Sequence, residues 1–184
     1  AAFSVFMWIN SSDTGTAGNI WSWNYAQPTR LFIHRHTSNR LRLEADDNVG
    51  GETVLTWSIL SSIFDAKNHS LALVKLPGTF TASNIHLFLD GIPQIPTVVD
   101  NLISTDVTVG NVCLGGRCDG VAGQYIVGFD ELLFFRSGID NATIATLHGG
   151  NYSVGGGGGR GASPAPAFLS INCASCNAPF GDTV

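Results

Sequence analysis

The sequence predicts an all-β fold: a two-sheet antiparallel β-sandwich of jelly-roll type, with one short helix and an extended Gly/Pro-rich C-terminal tail. Three observations lead there. About ten short segments are either apolar on alternate positions or apolar throughout, and Gly, Asn and Asp turn signals separate them at regular spacing. The 184 residues are 44% hydrophobic, enough for one sizeable core. Then, past residue 150, the composition changes to GGGGGRG and ASPAPA, which suit a flexible tether followed by a stiff, extended spacer.

In chain order, Ala2 to Asn10 (AFSVFMWIN) is apolar on both faces and reads as a buried strand. Asn19 to Tyr25 places Trp21, Trp23 and Tyr25 on one face against Ile20, Ser22 and Asn24. Leu31 to His36 and Arg40 to Ala45 read as a hairpin turning at Thr37-Ser38-Asn39, the second strand alternating cleanly. Val54 to Ile59, Ser70 to Lys75 and Ile85 to Leu89 follow, the last ending at an Asp90-Gly91 turn signal. Thr105 to Val109 and Val112 to Leu114 lead to Gly123 to Arg136 (GQYIVGFDELLFFR), apolar on both faces and expected to be a central strand. Asp140 is the expected N-cap of a helix of one to two turns, with Ile144 and Leu147 packing inward. The expected organisation is a sandwich over 1–150, a linker over 151–167, and a Cys-containing tail or the start of a further module over 168–184.

Charged residues make up 12% of the chain, against about 25% in an ordinary soluble domain. The net charge is −5 and the two lysines are Lys67 and Lys75, which argues against a nucleic-acid partner. No apolar run approaches the roughly 18 residues of a membrane span. The chain opens on Ala1 rather than Met, as expected of a processed product or a piece of a longer protein. Four N-x-S/T sequons, at Asn10, Asn68, Asn141 and Asn151, together with an even number of cysteines, favour a secreted or cell-surface glycoprotein. Cys113 and Cys118 flank the turn LGGR, a natural place for a disulfide staple. Cys173 and Cys176 pair locally or belong to a Cys-rich module continuing past Val184. A redox motif would want a βαβ setting that is not visible.

The order of motifs resembles a laminin-G-like domain of the concanavalin A-like lectin/glucanase superfamily. The resemblance rests on Phe3 to Ile9 with Trp8, Trp57, His69 to Val74, Leu87-Phe88-Leu89-Asp90-Gly91, Val109-Gly110, Tyr125 to Leu133 and the helix near Ile144, and covers residues 2 to about 149. There are two departures. An insertion separates Trp57 from His69, and the chain begins too late to supply the strand that usually precedes the opening one. A sheet lacking an edge strand exposes backbone groups. The β-prone patch at Ala167 to Ile171 therefore has two destinations, folding back or adding to a neighbouring copy. A strand cut off or lying upstream is the plainer alternative.

Function reads less sharply. The resemblance implies that a hydrolase of this superfamily would carry a Glu-x-Asp-x-x-Glu strand. The nearest stretch, Glu44-Ala45-Asp46-Asp47 with the next acid at Glu52, breaks that spacing, and the adjacent Asp130 and Glu131 point to opposite faces. The chain is therefore read as non-enzymatic. Calcium is the ion the resemblance implies, with Asp130 at the motif position and Asp46 and Asp47 among the loop acids. A carboxylate fixing a loop is the alternative for Asp130. His34 and His36 share a face but lack an identifiable third ligand. Trp21, Trp23 and Tyr25 either stack sugar rings or pack in the core, the commoner fate of aromatics. Ser163-Pro164-Ala165-Pro166 resembles the stretches of wall proteins that carry O-linked sugars on modified prolines, here Pro164 and Pro166, unless it is a plain spacer. Two classes remain. The first is an extracellular structural or adhesion module, joined to other copies or other domains through an edge strand and residues 162–184. The second is a lectin-like glycan-binding domain.

Overall fold

The structure is a computed structural model and describes residues 2–10, 18–23, 30–36, 40–46, 51–59, 63–101, 112–116 and 128–150. Its strands in chain order are β1 (Phe3–Asn10), β2 (Gly18–Trp23), β3 (Arg30–His36), β4 (Arg40–Asp46), β5 (Glu52–Trp57) and β6 (Asn68–Lys75). They continue with β7 (Ile85–Leu89), β8 (Ile92–Gln94), β9 (Thr97–Asn101), β10 (Val112–Leu114) and β11 (Gly128–Phe135), followed by helix α1 (Asn141–His148). All ladders among the described residues are antiparallel. They form a five-stranded sheet in the order β11-β1-β6-β7-β8 and a six-stranded sheet in the order β10-β2-β3-β4-β5-β9.

The two sheets bury different patterns. On β4 the residues Leu41, Leu43 and Ala45 enter the inter-sheet core, while Arg40, Arg42 and Glu44 face outward. On the outer face of the six-stranded sheet these polar residues stand beside Phe32 and Val54, which are also buried. On β1 the odd residues Val5, Met7 and Ile9 join the same inter-sheet core. The even residue Phe6 is fully buried in a second cluster with Ala72, Val74, Phe88, Phe135, Ile144 and Leu147. That second cluster is the packing of α1 on the outside of the five-stranded sheet, and it explains why β1 is apolar throughout. Asp140 caps the helix as expected, its Oδ1 accepting from Thr143 N at 2.8 Å. Asp90 (φ 51°) and Gly91 (φ 75°) form the left-handed turn that the Asp-Gly pair favours and join β7 to β8.

Three expectations are corrected. Gly123 to Arg136 reads as a central strand, but β11 ends the five-stranded sheet among the described residues, with both faces covered nonetheless. Its strict alternation also fails. The register with β1 slips between Phe6 and Trp8, opposite Glu131 at φ 49°. This bulge puts Phe129, Leu132 and Phe134 on the inter-sheet core, and Leu133 and Phe135 on the helix side. Strands β8 and β9 were not anticipated, because Pro93 and Pro96 break the pattern. Thr105 to Val109 lies outside the described residues, as does everything beyond Gly150.

Lys75 is 1% exposed in this interior. Its Nζ donates to Leu76 O at 2.7 Å and Gly78 O at 2.6 Å, and sits 4.8 Å from the centre of the Phe80 ring. Gly78 holds φ 107°, and a Cβ there would lie 3.0 Å from Asn84 Nδ2, so the loop needs glycine. Lys75→Met keeps the stem and leaves both carbonyls without this donor. It is expected to cost on the order of 1–3 kcal/mol in urea unfolding, whereas an unchanged midpoint would mean that water replaces the ammonium freely.

Candidate functional site

The rim of the five-stranded sheet carries an open cavity of about 450 Å³, lined by Trp8, Ile9, Asn10, Asn68, Phe129, Glu131 and Gly150. The volume falls within the roughly 300–1,000 Å³ of ordinary ligand pockets. Strand pairing builds it. Asn10 lies opposite Asn68 and Trp8 opposite Ser70 across β1 and β6. Even positions of β1 face outward, so Trp8 and Asn10 share the side on which α1 packs. The helix ends just short of them. Gly149 N bonds Ala145 O at 2.9 Å and Gly150 N bonds Leu147 O at 3.1 Å, and Gly150 turns out at φ 66°. The bulge at Glu131 gives β11 its turn beside the same opening.

Trp8 is half-buried and held from two sides. His148 stacks on it at 5.6 Å and 24°, and Phe6 meets it edge-on at 6.3 Å. His148 is fixed in turn, its Nδ1 lying 2.9 Å from Ser70 Oγ. At the cavity's edge the two exposed amides meet, Asn10 Nδ2 donating to Asn68 Oδ1 at 2.7 Å. An indole, two amides and the exposed carboxylate of Glu131 therefore surround one opening. Such a set binds through ring stacking and hydrogen bonds. Glu131 is the one carboxylate among the described lining residues.

Below the rim, His69 sits between two acids. Its Nδ1 is 2.8 Å from Asp90 Oδ2 and its Nε2 is 2.9 Å from Asp65 Oδ1. Asp90 also accepts from Ser70 N at 3.0 Å, and Lys67 Nζ pairs with Asp65 at 2.9 Å. Burial works against a charge on His69, but the Asp90 and Asp65 carboxylates outweigh it and raise its pKa. The hydrogen bonds from Lys67 and His69 hold the Asp65 carboxyl far below its usual range. In the sequence His69 and Asp90 belong to separate pieces of the resemblance, and Asp65 and Lys67 to none of them. Nothing in their spacing indicated one cluster, because Asp90 arrives from the next turn.

The other expected site residues are dispersed. Trp21 is 0% and Trp23 7% exposed, and both rings pack on Phe134 between the sheets, so they form core rather than a sugar-stacking surface. Tyr25 lies outside the described residues. Asn141 is exposed at the start of α1. Asn151, Pro164, Pro166, Cys118, Cys173 and Cys176 are outside the described residues, and Cys113 is disulfide-bonded. Asp46 ends β4 opposite Glu52, Asp47 is not among the described residues, and Asp130 is placed by its backbone opposite Trp8. No three His, Cys, Asp or Glu side chains among the described residues are grouped to hold a metal ion. On the outer face of β3, His34 Nε2 lies 3.3 Å from Glu44 Oε1, which Arg42 Nε also approaches at 2.6 Å.

No family model and no curated protein matches the chain. Solved structures do match. The receptor-binding domain of botulinum neurotoxin C/D mosaic serotype superposes with a TM-score of 0.59 at 13% identity, over 81% of this chain and 36% of that one. Mouse laminin α1 domains LG4-5 give 0.52 at 18%, over 77% and 37%. Domain 4 of AbnA, an extracellular GH43 arabinanase of Geobacillus stearothermophilus solved with arabinotriose, gives 0.55 at 10%, over 79% and 66%. The present chain thus spans about a third of the first two. At these identities the likeness concerns the fold alone, a two-sheet antiparallel jelly roll.

The His69 cluster predicts a pH dependence. A raised folded pKa means that its stabilisation is complete below about pH 6.5, the ordinary histidine value, and is lost as pH rises through the folded pKa. His36 has a lowered pKa, chiefly from burial and then from Arg42, and works in the opposite direction. Comparison with His69→Gln isolates the first effect. The advantage of the native chain in thermal midpoint should shrink as pH rises above about 6.5, and a constant difference would dismiss the ionic clamp.

Proposed function

We propose that the chain is a non-enzymatic extracellular glycoprotein module of laminin-G-like type that binds carbohydrate at the Trp8 rim. The observation behind this is the cavity itself: an indole held by His148 beside Asn10, Asn68 and Glu131. The flat apolar face of a pyranose suits an indole, and its hydroxyls suit amides and a carboxylate. The arabinotriose in the structurally similar arabinanase domain adds support from the fold. Secretion rests on the sequons and cysteines, including a Cys113–Cys118 staple. A calcium ion held by Asp46, Asp47 or Asp130 belongs to the same proposal, with loss of binding in EDTA as its test.

A second reading, an adhesion module or filament subunit, has one observation of its own. Ile92, Ile95, Val98 and Val99 are 63%, 94%, 47% and 58% exposed along the β8–β9 edge of the sandwich. This edge and residues 162–184 would join copies of the chain or other extracellular domains.

Two measurements separate the readings. On an oligosaccharide array the unglycosylated chain should bind, Trp8→Ala should weaken binding about thirtyfold, or about 2 kcal/mol, and Glu131→Ala should weaken it with the core intact. Binding unaffected by both substitutions would remove the rim from consideration. In sedimentation, assembly that rises with concentration and disappears on deletion of residues 162–184 would instead favour the filament subunit.

A further inference from the structure

The cavity contains two candidate acceptors for a covalent sugar. Asn10 and Asn68 each head a sequon, they are paired in register, and their amides are bonded to each other at 2.7 Å. Both are exposed, so both are open to modification. Their surroundings differ. Two residues before Asn10, on the same face of β1, stands Trp8. Two residues before Asn68 the chain has already left the strand, at Ala66 with φ 65°. Two residues after Asn68 comes Ser70, 2% exposed, with its hydroxyl 2.9 Å from His148 Nδ1. Trp8 thus stands on the same strand as Asn10, two residues before it, and is only a diagonal neighbour of Asn68 across the ladder.

We infer that the cavity is the seat of the protein's own N-linked glycan. The first sugar sits on Asn10 and packs against Trp8, while Asn68 remains unmodified and holds the Asn10 amide. This inference rests on the reading of the rim as a carbohydrate site, and names the carbohydrate. In the modification, Asn10 Nδ2 displaces a lipid diphosphate from C1 of an oligosaccharide donor. The C1–N bond forms, the C1–O bond to phosphate breaks, and one amide proton is given up to the transferase. One N–H remains on Nδ2 to donate to Asn68 Oδ1. Adjacent strands lie about 4.8 Å apart, less than the width of a substituted pyranose, so sugars on both asparagines would compete for one opening. Glu131 and Gly150 close the far side. A Cβ on Gly150 would meet nothing within 4 Å, so there is open space at that wall.

Trp8 offers its own readout. The chain has four tryptophans, and Trp21, Trp23 and Trp57 are 0%, 7% and 1% exposed. Fluorescence quenching by acrylamide in the folded chain therefore reports on Trp8. The full chain, secreted from a eukaryotic host, would be mapped by glycopeptide mass spectrometry and compared with Ser12→Ala. That variant removes the sequon of Asn10 and leaves the amide pair intact. The expected result is sugar on Asn10, none on Asn68, and at least a twofold rise in the quenching constant of Ser12→Ala. Occupancy of Asn68, a bare Asn10, or equal quenching with and without the Asn10 glycan would each overturn the inference. The unglycosylated chain on the oligosaccharide array keeps the two proposals apart. Sugar binding there alongside a bare Asn10 in the secreted protein leaves the carbohydrate reading standing and removes the covalent one.

Discussion

Strand β1 belongs to two cores at once, and the rest of the molecule is arranged around that constraint. Val5, Met7 and Ile9 are within 2% of full burial between the sheets, and Phe6, on the opposite face, is fully buried under α1. A strand with both faces apolar cannot lie at a wet surface without exposing one of them. The outer face of the six-stranded sheet is mixed: Arg42 and Glu44 pair there at 2.6 Å, beside the buried Phe32 and Val54. The five-stranded sheet requires a lid, and the eight residues of α1 supply it through Ile144 and Leu147. Burying each such side chain contributes about 1.5–3 kcal/mol. The chain therefore places its helix immediately after β11, where Ser4 can tie the connection down. Ser4 Oγ donates to Ser137 O at 2.8 Å and accepts from Ile139 N at 3.0 Å.

A lid of two turns cannot cover a whole sheet face. At 1.5 Å per residue α1 is about 12 Å long, shorter than the eight-residue strand beneath it. The cover ends at His148, and the next outward residue of β1 beyond Phe6 is Trp8. The indole is thus buried on the side that meets His148 and open where the helix has stopped. The site follows from a mismatch of lengths, and its chemistry follows from what the strand ends carry. The polar residues Asn10 and Asn68 stand where the two strands begin or end, as strand-terminal positions generally favour. The bulge at Glu131 has the same origin. Once β11 passes the lid it no longer needs alternation, and an exposed carboxylate is tolerated there.

The pleat made much of this legible in the sequence. The alternation of β4, the doubly apolar β1, the Asp90-Gly91 turn and the Asp140 cap each follow from local rules, and each lies where those rules place it. Strand order does not follow from such rules. A doubly apolar strand reads as central, yet β11 is terminal among the described strands because a helix and a facing sheet bury it as well as two neighbours would. The Trp-rich face of β2 reads as core more readily than as a sugar platform, and the position of the facing sheet decides for core. The candidate site was hidden for a related reason. Within AFSVFMWIN nothing distinguishes Trp8 from Phe6, and the bond from Asn10 to Asn68 spans 58 positions of sequence. Sequons can be read individually, but their register cannot.

The two histidine arrangements at the rim serve one geometry. Asp90 accepts from Ser70 N and faces His69 Nδ1, fixing the start of β6 against the β7–β8 turn. Ser70 then presents its hydroxyl to His148, whose ring backs Trp8. The chain of contacts runs from a partly exposed ionic cluster to the cavity wall without a gap. Each link restricts the rotamers of the next, so the indole reaches the opening already oriented, and little side-chain entropy remains to be lost on binding. A solitary surface tryptophan would lose that entropy with every ligand. The same rigidity suits a covalent occupant, since a glycan stem tethered at Asn10 gains from the platform only if the platform is held in place. The fold leaves one half-covered aromatic ring, held in place, at the point where its lid runs out.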